Sequence, residues 1–266
     1  MLFIKAAILA IICGITEFLP VSSNGHVIIL KELMGFEGPA GKMFELSLQL
    51  GAISAVCWLF RNKLIRTVVN ASRNRTDRQF AIKLGLAFLP AAVFGFIFHH
   101  YITEHLFNAR VVSVSLVIGG IAILLVEKYK PSTKIANLDD IPVSTALAIG
   151  LFQTLSLIPG VSRSGATIMG ALIVGVERKV ATEFSFFLAI PIIFVAGFYD
   201  IFKHRHELTS DSISLLVLGF CLAFVCALVV VKWLLGYLTR HGFIPFAWYR
   251  IIVGSLVFAL LMSKAA

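Results

Sequence analysis

The sequence predicts an all-α integral membrane protein: a single membrane domain over 1–266 built as an inverted-topology repeat, 1–135 and 136–266, with transmembrane helices and two re-entrant helix pairs. Three observations carry this reading. The 266 residues are 59% hydrophobic and only 14% charged, with 23 phenylalanines, which is too apolar for one soluble core of this length. The apolar residues fall into separate runs, several near the roughly 20 residues that cross about 30 Å of hydrocarbon. Three stretches in the first half return in the second in the same order. "LPVSSNG" (19–25) resembles "IPGVSRSG" (158–165), "ELSLQLGA" (45–52) resembles "EFSFFLAI" (183–190), and "VIGGIAILL" (117–125) resembles "IVGSLVFAL" (252–260). The matched positions 25 and 165, 45 and 183, and 117 and 252 lie 140, 138 and 135 residues apart, a drift small enough to favour duplication.

The first run, 2–16, ends at a Pro/Ser/Gly cluster and is too short to cross, as are 143–158 and 165–176. Irregular backbone at membrane depth is tolerated only where protein or a wet cavity surrounds it, so these runs are expected to be re-entrant. Ile12 is too large for the position before a cleavage site at Cys13, so the first run is expected to be retained. The runs 45–60, 80–98, 111–126, 183–202, 213–235 and 243–262 are the expected crossings. The gap 61–83 carries seven Lys/Arg and the gap 127–142 carries Lys128, Lys130 and Lys134, which places both in the cytoplasm. The gap 99–110 has one Arg and is expected outside. Followed through the repeat, these orientations turn the second half upside down relative to the first, and the two broken-helix tips meet near the midplane.

The net charge of +9 is spread over these short gaps, where it sets orientation, and no nucleic-acid partner is expected. Cys13, Cys57, Cys221 and Cys226 all lie in apolar runs without CxxC spacing, so neither a disulfide framework nor a zinc site is indicated. The sequence assigns no oligomeric state.

Opposed tips bring "TEFLPVSSNGH" (16–26) against "SLIPGVSRSGAT" (156–167). Arg163 offers a planar, multi-donor cation suited to phosphate. Ser22, Ser23, Asn24, Ser162, Ser164 and Thr167 add polar groups, and helix N-termini expected after Gly25 and Gly165 add positive dipole ends. Glu17 and His26 supply acid–base chemistry. Charges at membrane depth are costly and need a reason to be there. Simpler roles are open for each: Glu17 and Arg163 could pair across the repeat interface, the serines could cap helices, and His26 could be a buried, hydrogen-bonded imidazole. Glu45, Gln49 and Glu183, inside apolar runs, could support the site or make structural contacts.

The two loops, with "FELSLQLGAISAV", "LDD", "TEFSF" and "FIPFAWYR", resemble the bacterial undecaprenyl-pyrophosphate phosphatases, the bacitracin-resistance family, over nearly the whole chain. The resemblance implies an inner-membrane enzyme that hydrolyses a polyisoprenyl pyrophosphate, undecaprenyl pyrophosphate, to undecaprenyl phosphate and inorganic phosphate. It further implies a site facing the periplasm and a divalent cation, magnesium or calcium. By motif, Glu17, Ser22, Ser23 and His26 match the family's first loop, with Glu17 the expected metal ligand. Ser162, Arg163, Ser164 and Thr167 match its second. His26, Ser23, Glu17 and Arg163 are then the expected catalytic residues, and Ser22, Asn24, Ser162, Ser164 and Thr167 the expected substrate-binding ones. The nucleophile stays open between His26 itself, Ser23 deprotonated by His26, and water activated by His26, and His26 is expected to be essential in each case.

Two positions depart from the family pattern. Cys13 stands where Glu or Gln is usual, and Asn24 where threonine is usual. Loss of an oxygen donor at position 13 weakens the metal site, because hard cations prefer oxygen. An isoprenoid-phosphate transporter and a catalytically impaired lipid-binding paralogue are the alternatives.

Overall fold

The computed structural model describes residues 1–36, 42–204 and 210–265. They form α1 (Leu2–Thr16), α2 (Ser23–Met34), α3 (Lys42–Leu59), α4 (Arg61–Asn70), α5 (Arg75–Tyr101), α6 (Ala109–Tyr129), α7 (Val143–Gln153), α8 (Arg163–Ile173), α9 (Arg178–His204), α10 (Ser210–Tyr237) and α11 (Ile244–Ala265). A π turn, Ile102–Leu106, follows α5, and a 3-10 turn, Thr154–Leu157, follows α7. Among the described residues the β structure is a single bridge between Ile135 and Val176.

Five helical segments are long and apolar enough to cross a membrane: Arg75–Leu106, Ala109–Tyr129, Arg178–Gly197, Ile213–Tyr237 and Ile244–Ser263. A sixth arises if α3 and α4, bent by 79° at Phe60, count as one span. The protein is therefore a multi-pass, all-helical membrane protein. The basic gap after α3 is not a bare loop, as its charge alone suggests. Its first part folds as α4, with Ile65, Val68 and Val69 exposed on a helix that also carries Arg61, Lys63 and Arg66. Lys63 pairs with Asp139 and Arg66 with Asp77, which ties α4 to α5 and to the loop before α7.

α1 and α2 pack as one short hairpin and α7 and α8 as another. With 15, 12, 11 and 11 residues, none of these four helices reaches the roughly 20 needed to cross alone. α1 lies against α10, α7 against α5, α3 against α9 and α10, and α6 along α11. Two of these contacts depend on glycine: a Cβ on Gly51 would stand 2.3 Å from the Phe220 carbonyl oxygen, and one on Gly150 would stand 2.4 Å from that of Ala87. Close backbone approach of this kind is how helices associate where burial from water gives little driving force.

Both short second helices start in the same way. Ser22 caps α2 and Ser162 caps α8, each accepting a hydrogen bond from the N–H of the glycine three residues on, Gly25 and Gly165. The two serines have φ of 71° and 77°, the positive-φ non-glycine residues of the described chain. Such backbone costs on the order of 1–3 kcal/mol and persists only where the surroundings enforce it. The helices therefore begin at Ser23 and Arg163, three residues before the expected starts after the glycines, because the serine hydroxyl rather than the glycine supplies the cap.

Candidate active site

The turns that precede α2 and α8 meet face to face, and a buried arginine holds them together. Arg250, on α11, is 1% exposed and donates to five carbonyl oxygens: Pro20 in the first turn, Gly160 and Val161 in the second, and Ser115 and Leu116 on α6, at 2.9–3.3 Å. Ser164 adds a direct tie, its hydroxyl donating to the Leu19 carbonyl at 2.8 Å. Phe18, fully buried, packs edge-on against Phe186 of α9 with ring centroids 5.1 Å apart.

The junction encloses a cavity of about 180 Å³ whose polar lining includes Glu17, Ser22, Ser23, Asn24, Ser162 and Arg163. Glu17 links the two turns. Its Oε1 accepts from the Arg163 guanidinium at 3.2 Å, and its Oε2 accepts from the Ser23 hydroxyl. Arg163 also donates weakly to the Ser185 carbonyl at 3.5 Å and lies over the Phe18 ring at 5.8 Å. At the rim, the Gln49 amide donates to Asn24 Oδ1 at 2.8 Å. Of the residues expected to support the site, Gln49 thus lines the cavity; Glu45 pairs instead with Lys31, and Glu183 is half-buried without lining the cavity.

Three expected site residues stand behind the cavity wall. His26 points away from it: Nδ1 donates to the Ser22 carbonyl at 2.7 Å, and Nε2 accepts from the Tyr249 hydroxyl at 2.8 Å, with the two rings stacked. The Ser23 hydroxyl is therefore partnered by Glu17 and not by His26. Ser164 spends its hydroxyl on the Leu19 carbonyl, and Thr167 Oγ1 bonds the Arg163 carbonyl at 2.9 Å and the Ser185 hydroxyl at 2.6 Å. These side chains fix the shape of the turns.

The arrangement places one carboxylate, a hydroxyl hydrogen-bonded to it and a guanidinium in a single cavity beside two helix N-termini. Such a site is suited to an anion, and the carboxylate is placed to take the hydroxyl's proton. The side-chain oxygens on its wall, from Glu17, Ser23, Asn24 and Gln49, are donors of the class that magnesium and calcium accept. Cys13, buried one turn before Glu17, turns its thiol towards the same carboxylate, with Sγ 3.9 Å from Oε2. Among the described residues no three His, Cys, Asp or Glu side chains gather as a self-sufficient metal cage, so a cation here would complete its shell from elsewhere.

Sequence reasoning passed over Arg250 and Tyr249, although "FIPFAWYR" contains both. An arginine inside an apolar run is itself a signal, since a charge at membrane depth requires partners.

The bacitracin resistance protein BacA family matches residues 6–256. The chain is similar to the undecaprenyl-diphosphatase of Methylobacillus flagellatus, 48% identical over 264 residues that cover 97% of this chain and 98% of the relative. It is also similar to the undecaprenyl-diphosphatase of Parvibaculum lavamentivorans, 48% identical over 255 residues, 96% of this chain and 95% of the relative. A third relative, undecaprenyl-diphosphatase 2 of Paramagnetospirillum magneticum, is 44% identical over 261 residues, 98% of this chain and all of that protein. With the family match spanning almost the full length and these relatives covered end to end, the chain belongs to the bacitracin resistance protein BacA family.

Proposed function

We propose that this protein hydrolyses undecaprenyl diphosphate to undecaprenyl phosphate and inorganic phosphate, recycling the lipid carrier for peptidoglycan synthesis and so conferring bacitracin resistance. The observation that carries the reading is the Glu17–Ser23–Arg163 set inside one cavity at the meeting of two helix N-termini. The named activity of the relatives supports the substrate. Arg163 binds the diphosphate through its planar fork, exchanging its single bond to Glu17 for bonds to phosphoryl oxygens. Ser23 Oγ then attacks the terminal phosphorus. The anhydride P–O bond breaks, undecaprenyl phosphate leaves, and the serine proton passes to Glu17. Water attacks the phosphoserine in the second step, releasing inorganic phosphate and returning the hydroxyl. Arg163 and the α2 and α8 N-termini offset the charge that develops on the transferring group. His26 acts through Ser22, holding the strained cap from which Ser23 projects.

Glu17, with the oxygens of Ser23, Asn24 and Gln49, would hold a magnesium or calcium ion that supplies positive charge beside the phosphates. Cys13→Glu tests this. A second carboxylate one helical turn from Glu17 points the same way, so the half-maximal metal concentration for activity is expected to fall, with the gain largest at low metal. An unchanged value in two folded, active proteins would remove position 13 from the cation's surroundings.

We place the protein in the bacterial inner membrane with the cavity opening to the periplasm. The support is the lysine and arginine bias of 61–83 and 127–142 over 99–110. The same bias supports reading 1–135 and 136–266 as inverted repeats, together with the matching serine caps. Single cysteines at Arg75 and Thr103 should label from the cytoplasm and the periplasm respectively; the reverse labelling would overturn the orientation.

Purified protein given undecaprenyl diphosphate in detergent should release inorganic phosphate and undecaprenyl phosphate in equal amounts. Intact diphosphate lipid recovered from folded protein with added cation would overturn hydrolysis and favour a lipid carrier.

A further inference from the structure

A second, larger cavity adjoins the first. About 540 Å³ in volume, it runs between α5 and α9 over the 3-10 turn, with walls that include Phe88, Ala92, Gly95 and Val195. Ser156, Leu157 and Ile192 line both cavities, so the apolar groove and the polar cavity share one wall. The groove's lining is mostly hydrocarbon; its polar side chains are His99, Ser156 and Gln153, and of these only Gln153 lacks a hydrogen-bond partner. Gln153, the last residue of α7, is fully buried, and neither its Nε2 nor its Oε1 has a hydrogen-bond partner. A primary amide brings up to four hydrogen-bonding positions, and leaving them empty in a buried site is destabilising. Gln153 is joined to the shared wall: the Ser156 hydroxyl donates to its backbone carbonyl at 2.7 Å.

We propose that this groove seats the head-proximal isoprene units of the substrate, and that Gln153 donates its Nε2–H to the chain-bearing phosphoryl group where groove and cavity meet. The proposal rests on the diphosphatase reading and deepens it. With the chain in the groove and the terminal phosphoryl over Ser23, the inner phosphoryl falls at the shared wall. That placement gives the buried amide its missing acceptor. The volume also sets a limit. At ~30 Å³ per non-hydrogen atom, the share a water takes in the liquid, the groove holds about 18 such atoms, or three to four five-carbon units. The rest of a long chain lies among the bilayer lipids, where every further unit meets the same surroundings bound or free.

Diphosphates carrying one, three, four and eleven isoprene units test the limit. From one unit to four, kcat/KM should rise at least tenfold, and from four to eleven it should stay within about threefold. A flat series, or a rise that continues to eleven units, would overturn the assignment of the groove. Hydrolysis of none of them by folded protein would be a failure of the diphosphatase reading. Gln153 is then tested separately with Gln153→Met, which keeps the volume and removes the amide. KM for the four-unit diphosphate should rise about tenfold with kcat within twofold. Binding of non-hydrolysable farnesyl methylenediphosphonate, followed by thermal shift, should weaken in parallel, while the ligand-free melting temperature holds or rises because a buried orphan is gone. An unchanged KM, or a fall in ligand-free stability with ligand affinity intact, would make Gln153 structural and overturn its role.

Discussion

Glu17→Gln should reduce phosphate release about 10²–10⁴-fold, the range usual for loss of an acid–base group. The substitution keeps the shape of the side chain and its capacity to bond Arg163 and Ser23, both of which contact Glu17 in the cavity wall. The negative charge is lost, and with it the proton acceptor that Ser23 needs in order to attack. If Glu17 were only an ionic tie between the two turns, the cost would appear as lower yield and a lower melting temperature, with the rate per folded molecule near the parent's. Steady-state rates normalised to monodisperse protein on size-exclusion chromatography decide between the two.

Arg163→Lys should lower kcat about 10²–10³-fold, comparable to removing one preorganised donor from a charge-stabilising site. Lysine preserves the charge beside Glu17, and Arg163 already lies between that carboxylate and the Phe18 ring, so folding is expected to survive. What lysine lacks is the planar fork that can engage two phosphoryl oxygens at once. Parent-level activity in this variant would reduce Arg163 to a structural contact.

The two turns were readable because polar residues stand out in an apolar chain. Glu17 and Arg163 each carry a charge into membrane depth, and the shared Ser–x–x–Gly spacing of Ser22 to Gly25 and Ser162 to Gly165 exposed the repeat. Which way each side chain turns was not readable. His26 lies one helical turn after Ser22, and on that geometry its ring folds back to the Ser22 carbonyl instead of forward to Ser23. The sequence gives no sign of Tyr249, 223 residues away, which holds the far nitrogen. Arg250 stands out as a charge in an apolar run, but its partners were hidden for a different reason: they are five backbone carbonyls, and main-chain acceptors leave no trace in residue types. α4 was missed because its charges resemble a solvated loop, and only the 79° bend after α3 lays them along a helix.

The central claim is that chemistry occurs at the Glu17–Ser23 pair, with His26 holding the backbone behind it. Phosphate release by Ser23→Ala and His26→Gln, prepared side by side and matched for folded protein, tests it most directly. Ser23→Ala should fall to background, because the attacking oxygen is gone while the cap at Ser22 remains. His26→Gln should retain a measurable fraction of parent activity, since an amide can still donate to the Ser22 carbonyl and accept from Tyr249. Inactive His26→Gln beside an active Ser23→Ala would contradict the assignment and return the nucleophile or base to the imidazole.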